Sequence, residues 1–146
     1  MVTVQQHDFQ LEREYHKLID HDGAGAVVTF VGRVRDFASD NKSFYLQHYP
    51  GMTEKVLARI EQEAHARWSL IASSIIHRVG QLDINDQIVF VGVSSKHRKD
   101  AFAACEYMID ILKTQAPFWK KEGDQWVEAK ASDQTAADSW LHSDND

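Results

Sequence analysis

The sequence predicts a single α+β domain: a largely antiparallel sheet with helices packed on it and a β-hairpin near the carboxy terminus. Three observations carry that expectation. Segments with apolar residues at helical spacing are interspersed with segments that alternate or run β-branched, the pattern of helices and strands sharing one core. Two strand-to-strand connections are short and turn-like, so strict β-α-β alternation fails and antiparallel neighbours are favoured. A length of 146 residues, 43% of them hydrophobic and 26% charged, suits one domain with one core. The expected division is one domain over residues 1–141 and a disordered polar tail over 142–146.

Along the chain, Leu11, Tyr15, Leu18 and Ile19 recur at helical spacing until His21-Asp22-Gly23-Ala24-Gly25 ends that helix in a loop. Residues 26–31 form a compact β-branched and aromatic run, read as a buried strand that closes at Gly32 and leaves Arg33-Val34-Arg35 at its end. A polar loop at 36–42 precedes an alternating strand at 44–49, which Pro50-Gly51 stops. Residues 53–68 place Val56, Leu57, Ile60, Ala64 and Trp68 on one helical face, with Thr53 available as N-cap, and this reads as the longest helix. Residues 75–79 and 87–95 read as an antiparallel pair separated by Gly80 and an Asn85-Asp86 turn. A third helix over 98–114 is expected to pack Phe102, Cys105, Ile109 and Leu112 inward and to stop before Pro117. Strands at 118–122 and 125–128 flank Gly123-Asp124, whose leading glycine suits a type II′ hairpin. Lys120 and Lys121 must then point to opposite faces. A last helix is expected over 132–140.

Composition excludes several functions. The amino terminus carries Gln5, Gln6, His7 and Asp8, unlike a secretory signal, and no stretch approaches the roughly 18 apolar residues that span a bilayer. A cytoplasmic protein without membrane contact is expected. The single cysteine, Cys105, excludes an intramolecular disulfide and sits on the apolar side of its helix, where it reads as an inert core thiol. The 8 histidines lack metal-ligand spacing, so no metal is expected. Glycine-rich phosphate loops and Gly-x-Ser-x-Gly elbows are absent from the sequence. A net charge of −6 argues against binding nucleic acid. That charge is uneven: Lys96, Arg98, Lys99, Lys113, Lys120 and Lys121 face only Asp100, Glu106 and Asp110 in the same stretch. A positive island in an acidic chain points to a local anionic ligand, with a solvated basic face as the plainer alternative.

Three constellations can carry chemistry. Ser94-Ser95-Lys96-His97-Arg98 lies where a strand gives way to a helix, and free N–H groups with the positive end of the helix dipole favour a phosphate or carboxylate there; ordinary capping is the alternative. Lys113-Thr114-Gln115-Ala116-Pro117-Phe118-Trp119-Lys120 sets one lysine at a helix end and another in a strand, beneath aromatic cover that can activate a lysine. A dipole-complementing lysine and an edge-protecting lysine explain the same residues more plainly. Arg33 and Arg35 share one face of an extended segment and can grip an oxyanion together.

Four of these segments together, His48-Tyr49-Pro50-Gly51-Met52-Thr53-Glu54-Lys55, His77-Arg78-Val79-Gly80, Val89 through Arg98, and Lys113 through Lys120, resemble the large subunit of molybdopterin synthase, with the likeness running over residues 26–140. The resemblance implies a sulfurtransferase of molybdenum cofactor biosynthesis, which converts cyclic pyranopterin monophosphate into the dithiolene of molybdopterin. Sulfur would arrive as a thiocarboxylate on the Gly-Gly carboxy terminus of a small ubiquitin-like carrier subunit. It also implies a homodimer of large subunits within a heterotetramer, no resident cofactor, and a catalytic role for the domain over 1–141. Lys113 and Lys120 would be catalytic; Arg33, Val34, Arg35, His97, Arg98, Lys121, Glu122 and Lys130 would bind substrate. Lys120 is assigned to proton transfer or to acting as an activated amine, and Lys113 to orienting the thiocarboxylate. Lys130 stands where the family is associated with an arginine that reaches the neighbouring pocket; lysine keeps the charge and loses the bidentate fork. The competing readings are a noncatalytic module that binds an anionic ligand or a partner's carboxy-terminal tail, and an RNA-binding module, which the acidic balance opposes.

Overall fold

A computed structural model describes residues 1–127 and 131–143. The element order is β1 (Val2–Gln5), α1 (Leu11–Ile19), β2 (Ala26–Arg33), β3 (Phe44–His48), α2 (Met52–Arg67), β4 (Ala72–Arg78), β5 (Gly80–Leu82), β6 (Gln87–Ser95), α3 (Arg98–Gln115), β7 (Phe118–Glu122), β8 (Gln125–Val127) and α4 (Ala131–Ser143). Two four-stranded sheets result, one ordered β1-β4-β6-β2 and the other β5-β3-β7-β8. All pairings are antiparallel except β1 with β4. None of the described helices is long and apolar enough to cross a membrane.

The centre of the first sheet is β6, whose residues from Val89 to Ser95 are all buried. Val91 and Val93 face Leu57, Ile60 and Ala64 of α2 and Ala104 and Met108 of α3. Phe90 faces the other way, against Phe9, Leu18 and Ile76. Burial on both sides explains the nearly unbroken apolar run, since alternation survives only where one face meets water. The second sheet packs Phe44, Leu46 and Leu82 against Val34 and Val79, with Phe118 beside them. At Gly80 the chain crosses from the first sheet to the second. The β7–β8 turn has Gly123 at φ 62 with no positive φ at Asp124, the signature of the expected type II′ connection.

Several expectations are corrected. The strand β1 went unread, and its parallel partner β4 begins at Ala72 rather than Ile75. β5 lies within the segment read as a connection. The α2 helix starts at Met52 with Gly51 as N-cap; Thr53 is its second residue. At 18 residues α3 is longer than α2 at 16. Phe102 is 60% exposed, so α3 turns Ala101, Ala104, Met108 and Ile111 inward along with Cys105 and Leu112. Leu11 and Tyr15 likewise face out, and α1 buries Glu14 and Leu18. The last helix continues through Ser143, two residues into the stretch expected to be a tail; residues 144–146 lie outside the described residues.

α4 docks on α3 through Trp140, whose indole Nε1 donates to Asp110 Oδ2 at 2.7 Å. The Trp140 ring packs edge-on against Trp68 and Tyr107, and the Arg67 guanidinium lies 5.7 Å from its centroid. This docking carries Asp133 to the end of α3.

Close packing at β6 gives a test. A Cβ on Gly92 would lie 2.5 Å from Leu18 Cδ1 and 2.7 Å from Phe90 Cζ. Gly92→Ala should therefore cost about 1–3 kcal/mol in urea unfolding through overpacking between α1 and the sheet. A loss below about 0.5 kcal/mol would mean that α1 is free to move away.

Candidate active site

Register decides where the paired lysines of β7 go. Lys120 pairs with Leu46, and Lys121 with Tyr45 and Trp126. Directly opposed residues share a face, so Lys120 lies on the side of the buried Phe44 and Leu46 while Lys121 lies on the outer side. The Lys121 ammonium sits 5.8 Å from the Trp126 ring centroid. Lys120 Nζ is 3.9 Å from Glu122 Oε1 on the same face. The two lysines thus point apart, as strand periodicity predicts.

Lys113 stands in the last turn of α3, with Nζ 3.7 Å from Asp133 Oδ1. The helix ends because Pro117 follows, and Ala116 N–H gives the cap bond to Leu112 O at 3.2 Å. Lys113 lies four residues before Pro117 and Lys120 three after it. Both ion pairs are long and partly exposed, worth on the order of 1 kcal/mol or less each. An arriving anion can replace either carboxylate at little cost.

Val34 is 3% exposed and belongs to the apolar cluster that also holds Phe44 and Leu46. Its N–H donates to Asp86 O at 2.8 Å, and its carbonyl accepts from Asn85 N–H at 2.8 Å. With Val34 clamped inward, Arg33 and Arg35 must point out. Arg33 Nε donates to Asn85 O at 2.9 Å; exposed Arg35 makes no hydrogen bond or ion pair among the described residues. Because Phe118 packs on the Val34 cluster, these arginines and β7 occupy the same end of the molecule.

His97 and Arg98 do not join them. Strands β2 and β6 pair from Ala26↔Ser95 to Arg33↔Gln87, a ladder of roughly 24 Å. His97 follows Ser95 and therefore begins at the end opposite Arg33. The helix α3 then returns over about 26 Å, which delivers Lys113 to the arginine end. His97 is the exposed N-cap of α3, and its carbonyl accepts from Ser95 Oγ. Lys130 falls outside the described residues.

A residue without an assigned role lies at the root of β7. His77 is buried and its ring stacks on Phe118, with centroids 4.1 Å apart and planes at 27°. Its Nδ1 is 3.0 Å from Arg78 O, a contact that a neutral ring with Nδ1–H makes as donor. Burial lowers the imidazole pKa to about 4, the Arg78 carbonyl opposes that shift, and nearby His48 adds to it. The Ile75-Ile76 run directly before His77 is the sequence signal for this burial, since Ser74 through His77 are all buried. Cys105 is an inert core thiol: burial, with Glu106 adding, pushes it up to about 12.

Comparison with known proteins gives consistent likenesses. The sequence model of the family described as MoaE protein matches residues 4–115. The molybdopterin synthase catalytic subunit of Vibrio cholerae is 52% identical over 145 residues, covering 95% of this chain and 97% of that one. Among solved structures, the MoaE protein of Burkholderia ambifaria superposes with a TM-score of 0.85 at 46% identity, covering 97% of both chains. A complex of subunits 1 and 2 of the molybdopterin-converting factor of Helicobacter pylori reaches 0.73 at 21% identity, with 89% of this chain and 90% of that chain covered, a likeness of fold alone.

The buried His77 makes stability depend on pH. Between about 6.5 and about 4 the unfolded chain takes up a proton that the folded imidazole refuses, so stability falls as pH falls through that window and levels off below it. Between pH 7 and pH 5 the wild type should lose roughly 2 kcal/mol more than His77→Phe in urea unfolding. Equal losses would mean that the ring is solvated.

Proposed function

The chain belongs to the MoaE family, and on that premise we propose that it is the catalytic subunit of a molybdopterin synthase, a sulfurtransferase of molybdenum cofactor biosynthesis. Its substrate is cyclic pyranopterin monophosphate. A small ubiquitin-like subunit ending in Gly-Gly delivers each sulfur as a terminal thiocarboxylate: a carbon–sulfur bond forms to the pterin as a carbon–oxygen bond there breaks, and water then cleaves the bond between that sulfur and the carrier's carbonyl carbon, leaving a carboxylate. That chemistry asks for no resident metal or cofactor, and its setting is the cytoplasm.

The observation that carries the reading is the placing of Lys120 on the inner side of β7 while Lys113 stands in the last turn of α3, on the other side of Pro117. A phosphate, a thiocarboxylate and an acyl-transfer oxyanion are all negative, so two lysines with Arg35 nearby stabilise each of them. Lys113 holds the thiocarboxylate in place of Asp133. Lys120 exchanges its contact with Glu122 for the reacting groups and moves the proton or acts as the amine. Glu122 and Arg33 flank this end; Lys121, on the outer face, stands apart from it.

His97 and Arg98 fit the reading only if they come from elsewhere, because one chain holds them at the opposite end of the β2–β6 ladder. A homodimer within a heterotetramer supplies them: each pocket takes Lys113 and Lys120 from one large subunit and His97, Arg98 and Lys130 from the other.

A complementation assay tests the activity and the shared pocket together. Lys120→Ala and Arg98→Ala chains, each supplied with thiocarboxylated small subunit and pterin substrate, should be nearly inactive alone. Unfolded and refolded as an equal mixture, they should recover about a quarter of wild-type dithiolene formation, because half the dimers are mixed and each mixed dimer has one intact pocket. No recovery would place both residues in one chain's pocket. A folded wild type that binds the carrier's tail and forms no product would be a binding module.

A further inference from the structure

Between the two lysines of the site runs a short connection that turns at Pro117, and a buried hydroxyl holds it. Thr53 is wholly buried. Its Oγ1 accepts from Tyr49 N–H at 3.0 Å and donates to Pro117 O at 3.2 Å. The β3–β7 ladder ends at His48↔Phe118, so the next rung would join Tyr49 to Pro117. Proline has no N–H to complete that rung. The Thr53 hydroxyl stands in it instead, joining the Tyr49 donor to the Pro117 acceptor through one oxygen.

The bridge is anchored from several sides. Thr53 N–H donates to Tyr49 O at 2.9 Å, and the Glu54 carboxylate accepts from Gly51 N–H in a capping contact at the start of α2. Immediately beyond Pro117, Phe118 N–H turns back to Ala116 O at 2.9 Å, and the Phe118 ring rests on His77. The point at which the chain leaves α3 and enters β7 is thereby fixed to α2 and β3.

We propose that Thr53 is a positioning residue for sulfur transfer: its hydroxyl sets the Pro117 pivot, and through the pivot the placement of Lys120 relative to Lys113. This rests on the sulfurtransferase reading for its kinetic consequence, though not for its geometry. Loss of the bridge lets β7 shift at its root, and a displacement on the order of 1 Å at a reacting group costs up to about a hundredfold in rate. Substrate and carrier contacts made elsewhere survive such a shift, so the saturated rate falls and the half-saturating concentration does not.

The test compares Thr53→Val, nearly isosteric and without the hydroxyl, with Thr53→Ser, which keeps it. In the complex with thiocarboxylated small subunit, Thr53→Val should lower the saturated single-turnover rate at least about tenfold with little change in pterin half-saturation, and Thr53→Ser should restore most of it. Circular dichroism melts confirm that both variants are folded at the assay temperature. A second readout needs no activity: the yield of a short amine-reactive cross-link between Lys113 and Lys120, read by mass spectrometry, should change several-fold in Thr53→Val and stay near wild type in Thr53→Ser. A wild-type rate and cross-link yield in folded Thr53→Val would overturn the proposal, as would equal slowing in both variants. If the wild type formed no dithiolene, the sulfurtransferase reading would fail, and the cross-link yields alone would decide whether Thr53 holds the pivot.

Discussion

The pairing of β7 with β3 is the constraint on which the candidate site depends. Successive side chains of a strand face opposite ways, so a slip of one residue would exchange Lys120 for Lys121 at the inner face. Phe44 and Leu46 on β3 hold the correct register from within. Slipping would take half-buried Phe118 off the Val34 cluster and the His77 ring and put the bulkier Trp119 in its place. The β3–β7 register therefore decides which of two adjacent, chemically identical lysines faces the buried side of the sheet. The polar contacts around them, with Glu122 and Asp133, are too weak to make that choice and loose enough to be exchanged for a substrate.

The first sheet supplies the frame. β6 is buried on both faces, and the length of its ladder with β2 separates two positive clusters. Arg33 and Arg35 leave one end of the ladder, and His97 and Arg98 leave the other. The long α3 helix then spans the distance back, so Lys113 lies in its last turn, four residues before Pro117, and far from His97. A domain built this way keeps its two positive clusters at opposite ends of the ladder.

Much of this was legible in the sequence where periodicity was strong. The β6 run, the apolar face of α2 with Leu57, Ile60 and Ala64, and the Gly123 turn all correspond to elements seen in the structure. Alternation alone separated Lys120 from Lys121. The functional weight of Lys113 and Lys120 came from the resemblance of four motifs, since spacing left plainer readings open. β1 is not legible in the sequence because a four-residue strand carries little periodic signal and its parallel partner lies far along the chain. Phe102 is apolar yet exposed, because the small Ala101 and Ala104 are the residues that let α3 approach the sheet. The separation of His97 from Arg33 follows from antiparallel return, which is a property of topology. Thr53 read as a cap, and only the folded chain brings its hydroxyl to Pro117.

Sulfur transfer at the inner face of β7 can be measured directly. The direct measurement is single-turnover conversion of cyclic pyranopterin monophosphate by the complex with thiocarboxylated small subunit, followed by mass spectrometry of pterin and carrier, for the wild type and for Lys120→Ala and Lys121→Ala. The expected result is dithiolene with the wild type, a fall of at least about a hundredfold for Lys120→Ala, and a much smaller fall for Lys121→Ala. Equal falls in the two variants, or a larger one for Lys121→Ala, would contradict it.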